Sequence, residues 1–108
     1  VERIRPLQEK ARQRLRQLSI LNVQLNLAGT TFGWPAKGPY DAILSAAAPS
    51  TIPDELKQQL APDGVLIIPV GDVEQALIKV VRIGASYNFE ETNIEPVKFV
   101  PLLSGVVR

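Results

Sequence analysis

Chemistry in this sequence falls to carboxylates, hydroxyls and backbone groups, because the chain contains no Cys and no His. The first absence removes thiolate nucleophiles and disulfides; the second removes the commonest general base and transition-metal ligand. No residue is singled out as catalytic or as a metal ligand, and any catalysis must run on carboxylates, hydroxyls, backbone groups or a bound cofactor. The stretch best suited to a ligand is Ser45, Ala46, Ala47, Ala48, Pro49. Side chains this small let a ligand approach the backbone, and they equally close a tight turn. The only Trp, Trp34, sits in AGTTFGWPAKGP over residues 28–39. Its ring can stack on a ligand or plug the end of a core. Residues 1–16 carry six basic and two acidic side chains, a net +4, and the remainder carries six and nine, a net −3. Arginines meet phosphates, but none here is interleaved with aromatic residues, so a solvated helix face is expected and no nucleic-acid partner.

The elements that must position these residues centre on 40–70, YDAILSAAAPSTIPDELKQQLAPDGVLIIPV. Residues 42–44 and 65–68 are apolar runs of the kind found in strands covered on both faces, which points to a parallel α/β sheet. Between them Thr51 is a candidate helix cap, Pro53 suits a first turn, Asp54 and Glu55 suit the positive end, and Leu56 and Leu60 share a face. Pro62, Asp63 and Gly64 stop the helix and turn the chain. Ligands of such sheets gather at the carboxyl ends of strands, where Ser45 to Pro49 lie.

Upstream, residues 1–4 read as the tail of a strand and residues 6–18 as an amphipathic helix with Leu7, Ala11, Leu15 and Leu18 on one face. Burial of Leu7, Leu15 and Leu18 would contribute about 1.5–3 kcal/mol each. Residues 23–27 alternate as a strand with one wet side. Downstream, 76–83 reads as an antiparallel strand, 84–86 as a break, 87–91 as a short strand, and 97–103 as a last strand that Pro101 restricts to an edge or bulge.

With 108 residues, 45% of them hydrophobic and 21% charged, the chain fits one folded domain, residues 1–108. No apolar run approaches the roughly 20 residues that span a bilayer, so no membrane partner and a cytoplasmic location are expected.

The segments VERIRPLQEKARQRLRQL, FGWP, YDAI, AAAP, IP, LAPDGVLIIPVG and PVKFVPLLSG, in this order, resemble the downstream part of the protein-L-isoaspartate O-methyltransferases over residues 1–105. The resemblance implies an α/β, Rossmann-like fold of the S-adenosylmethionine-dependent methyltransferases. The sheet would be incomplete and mostly parallel, with antiparallel C-terminal strands. It implies S-adenosylmethionine as cofactor, isoaspartyl-containing peptides or proteins as partners, and protein repair by methylation of isoaspartyl carboxyl groups. Glu2 matches the acidic residue that binds the cofactor's ribose hydroxyls, a task suited to a carboxylate's acceptor oxygens. Ala28 and Gly29 match the adenine side of the cofactor site, Ala46 and Ala47 the methyl-transfer centre, and Val97, Phe99, Val100 and Pro101 the peptide-holding region.

Three departures accompany the match. The family's Ser-rich substrate segment and its glycine-rich cofactor loop precede the matched part and are absent from these residues. Where the family reads Gly-Asp-Gly, this chain reads Ala28, Gly29, Thr30, which removes the acidic side chain facing adenine. Ala46 stands where the family carries a Thr hydroxyl, unless a one-residue shift gives that place to Ser45. The strand that would precede Val1 lies centrally in the family's sheet, so exposed edges and a homo-oligomer are expected. Turnover by these residues alone is expected to be weak or absent. The alternative is a non-catalytic α/β module that self-associates or binds a protein partner.

Overall fold

A computed structural model describes residues 1–108. They divide into two compact units, one of Val1–Trp34 with Leu103–Arg108 and one of Pro35–Leu102. Each has its own internal hydrogen bonding.

In the unit of Pro35–Leu102, the apolar runs become strands: β1 Tyr40–Leu44, β2 Leu60–Val70, β3 Gln75–Arg82 and β4 Phe89–Val97, in the order β1-β2-β3-β4. β1 and β2 run parallel, with Ile43 opposite Leu66 and Leu44 opposite Ile67, as the βαβ reading requires. β2–β3 and β3–β4 are antiparallel, so the sheet is mixed. The short helix α2, Asp54–Gln58, forms the crossover between β1 and β2. Asp54 and Glu55 lie in its first turn as expected, but Pro53 is the N-cap residue and no side chain caps the helix, so Thr51 does not cap it. The extended backbone of Pro53 makes that boundary, and its ring supplies no acceptor for the first N–H groups.

The core of this unit lies along β2. Leu60, Leu66 and Ile68 of β2 and Val80 of β3 are fully buried, and Leu56 of α2 is nearly so. Leu66 and Val80 are directly opposite one another in the ladder. Each such side chain contributes on the order of 1.5–3 kcal/mol. β1 departs from the two-face expectation: Ala42 is exposed and Leu44 is 79% exposed, because β1 is an edge strand paired only with β2. The turn at Pro62, Asp63 and Gly64 is present as an irregularity within β2. Tyr40 pairs with Leu60 but Ala42 with Val65, and the intervening residues loop out with Asp63 at φ 62°.

Residues 97–103 do not form a last strand. β4 ends at Val97, and beyond it one parallel bridge joins Ala48 to Pro101. Ala48 donates to Val100 O at 2.7 Å and accepts from Leu102 N at 2.9 Å, straddling Pro101. Pro101 is tolerated because this pairing asks nothing of its nitrogen, yet it cannot supply the donor that would extend the ladder on its other side.

In the other unit, α1 spans Arg5–Gln17 with Pro6 in its first turn. The apolar stripe is not buried as expected. Leu7 is 44% and Leu18 69% exposed, Leu15 is half-buried, and Gln8 is the buried residue of the helix. Residues 23–27 likewise form no strand but a single parallel bridge, Leu27 to Glu2. Both differences have one cause: this unit contains no extended sheet against which a stripe or a strand can lie.

Candidate functional site

Glu2 and Ala28, expected to serve the same ligand, are bonded through their backbones. Ala28 N donates to Glu2 O at 2.8 Å, and Glu2 N donates to Asn26 O at 3.0 Å. The Glu2 carboxylate is oriented from behind, since Oε2 accepts the N–H groups of Arg3 at 2.8 Å and Ile4 at 3.2 Å, just ahead of α1. Such bonds fix the carboxylate while leaving acceptor capacity on the group as a whole, which is what a pair of ribose hydroxyls needs. Gly29 follows directly. Its carbonyl accepts Gly105 N at 3.2 Å, and a Cβ built on it meets nothing within 4 Å. The chain thus offers an oriented acceptor at Glu2 and open space at Gly29, with no adenine-facing carboxylate. A carboxylate held in this way can accept hydroxyl hydrogen bonds of the kind a ribose offers, and position 29 carries no acidic side chain.

The other predicted residues meet within the unit of Pro35–Leu102. Ala46 is exposed and Ala47 half-buried, in a loop that follows β1. The Ser45 hydroxyl donates to Ala47 O at 2.8 Å and accepts Ala47 N at 3.4 Å, so it closes its own loop. The loop is held further on, where Gly71 N donates to Pro49 O at 2.8 Å and Ser50 Oγ to Asp72 Oδ1 at 2.6 Å. The bridge from Ala48 to Pro101 then lays the predicted peptide-holding stretch beside it. Val97 is half-buried at the end of β4, and Phe99, Val100 and Pro101 are exposed, Val100 at 67%. An open groove of about 790 Å³ runs beside this stretch, lined by Val73, Gln75, Pro96, Val97 and Lys98 among others.

Spacing gave no sign of two residues that hold this arrangement. Gln75 bonds the backbone of Phe99 through its side-chain amide, and Arg82 is buried with its guanidinium spread over carbonyl oxygens. Trp34, whose ring could stack on a ligand or plug the end of a core, is half-buried.

The mixed sheet, with its parallel βαβ start and antiparallel C-terminal strands, is shared with solved structures that place the chain in the class of S-adenosylmethionine-dependent methyltransferase folds. A Plasmodium falciparum chain described as a protein-L-isoaspartate O-methyltransferase, solved in complex with S-adenosyl-L-homocysteine, superposes with a TM-score of 0.79 at 25% identity, over 94% of this chain and 50% of that one. A second structure, a protein-L-isoaspartate O-methyltransferase, matches in fold with a TM-score of 0.82 at 20% identity, over 95% of this chain and 33% of that one. The sequence model of the family "Protein-L-isoaspartate(D-aspartate) O-methyltransferase" matches residues 1–107, and the chain belongs to that family. It is 61% identical to the protein-L-isoaspartate O-methyltransferase of Saccharophagus degradans over all of this chain and 48% of that relative. It is 56% identical to protein-L-isoaspartate O-methyltransferase 1 of Marinobacter nauticus over all of this chain and 49% of that relative. The chain therefore spans about half the length of the curated relatives it matches.

Proposed function

We propose that this chain serves methyl transfer from S-adenosylmethionine to the carboxyl group of isoaspartyl residues in damaged proteins. The observation that carries this reading is the Ala48–Pro101 bridge, which fastens the loop of Ala46 and Ala47 to the stretch of Val97, Phe99, Val100 and Pro101. A methyl-transfer centre and a peptide-holding strip must adjoin, because in-line attack by a carboxylate depends on orientation and desolvation more than on a proton-transfer residue. When bound, S-adenosylmethionine supplies the electrophilic methyl group. Glu2 accepts the ribose hydroxyls, Ala28 and Gly29 leave their backbone open to the adenine side, and the small side chains of Ala46 and Ala47 admit the reacting carboxylate. The extended backbone of 97–101 holds the peptide.

The proposal includes action in the cytoplasm and self-association. The exposed Ala42 and Leu44 on the edge strand β1 support the latter. A second reading, a non-catalytic module of the same descent, is favoured by Gly29 in place of the acidic residue and by the closed Ser45 hydroxyl.

Titration calorimetry with S-adenosylmethionine separates the two. Micromolar affinity that is lost in Glu2→Ala supports the cofactor site. Absence of heat up to millimolar cofactor rejects it in favour of the module, and a methyl-transfer assay on an isoaspartyl peptide then separates binding from turnover.

A further inference from the structure

The β3–β4 ladder ends at the pair Gln75 and Val97. Continued by two residues, the register would set Phe99 opposite Val73, but residues 72–74 bend away after Gly71, whose φ is 128°. The side chain of Gln75 takes the place of the lost backbone. Its Oε1 accepts Phe99 N at 2.7 Å and its Nε2 donates to Phe99 O at 3.1 Å, the reciprocal exchange that a hydrogen-bonded antiparallel pair makes. The same Nε2 donates to Asp72 O at 3.3 Å, which ties the amide to the turn it replaces. Two further backbone bonds, from Ala48 to Val100 and from Leu102 to Ala48, complete the fastening of this stretch.

We infer that Gln75 is a positioning residue for peptide recognition: its amide stands in for a missing peptide unit and sets the place of Phe99, and through it Val100 and Pro101. This rests on the reading of Val97, Phe99, Val100 and Pro101 as the isoaspartyl-peptide strip. Only a side chain with both a donor and an acceptor at this reach performs the exchange. Glu at the same length keeps the acceptor and loses the donor, and Ala loses both.

The test compares the wild-type chain with Gln75→Glu and Gln75→Ala, using amide hydrogen exchange followed by NMR titration with a short isoaspartyl peptide. Protection of the Phe99 amide should fall about fivefold or more in Gln75→Ala, while Leu66 and Val80 keep theirs. Peptide affinity should weaken about fivefold in both variants, the isosteric Glu showing that the donor and not packing is responsible. Unchanged protection of Phe99 in Gln75→Ala overturns the inference, as does lost protection with unchanged peptide affinity. A wild-type chain that binds no isoaspartyl peptide at millimolar concentration instead rejects the peptide strip, and the inference with it. That failure shows in the wild type alone, and so is told apart from the other two.

Discussion

Arg82 donates from Nη1 to the carbonyl oxygen of Leu60 at 2.8 Å, in a buried contact that ties β3 to the start of β2. The same guanidinium donates through Nε to Ser86 O at 3.0 Å and through Nη2 to Ala85 O at 2.6 Å, and lies 4.3 Å from the Tyr87 ring. A planar fork of donors thus ties the β3–β4 turn to the base of the sheet. Arg82→Leu leaves these carbonyls without that donor and should destabilise the fold by about 2–4 kcal/mol, and Arg82→Lys by about 1–2 kcal/mol because one ammonium cannot span the fork. Urea denaturation midpoints check both.

Leu66 and Leu44 carry the same side chain into opposite surroundings, one fully buried and one 79% exposed. Leu66→Ala should cost about 2–5 kcal/mol, and Leu44→Ala should stay within about 0.5 kcal/mol. Equal losses in thermal unfolding would contradict the assignment of β1 as an edge strand.

Gly71 opens the β2–β3 turn at φ 128°, and a Cβ there would run into the Glu74 carbonyl oxygen. Gly71→Ala should destabilise the chain by at least about 1 kcal/mol. Gly84→Ala, also at positive φ but with nothing within 4 Å of the added atom, should cost less. Chemical denaturation of the pair reads the difference.

Gly29 lies outside the positive-φ glycines and has open space where a side chain would project. Gly29→Asp should therefore leave the unfolding midpoint almost unchanged. If the cofactor reading holds, the restored carboxylate should tighten S-adenosylmethionine binding about tenfold by calorimetry.

What the sequence made legible follows the strength of its punctuation. β1, β2 and β3 are readable from their apolar runs, with Gly71 closing β2, whereas Pro62, Asp63 and Gly64 look like a boundary and lie within β2. Residues 23–27 and, beyond Val97 at the end of β4, 98–103 have equally strand-like composition and do not form strands. Strand formation depends on a partner, and each stretch finds a backbone bridge only once, with Glu2 and Ala48 respectively. The stripe of α1 shows the same limit, since periodicity marks a face that could be buried without saying what covers it. In the candidate site, Glu2 with Ala28 and Ala48 with Pro101 are joined by backbone hydrogen bonding alone, which no residue type announces. The amide of Gln75 and the fork of Arg82 act on backbone atoms, which carry no residue-type signal and leave no spacing to read.

The two margins of the sheet differ in kind. β4 carries Glu90, Glu91 and Glu95, all exposed, so two copies meeting along that margin would bring six carboxylates together. The opposite margin, YDAIL, has a single formal charge at Asp41. The acidic margin thus repels a second copy of itself, whereas the margin that ends in Leu44 carries no comparable cluster of like charge.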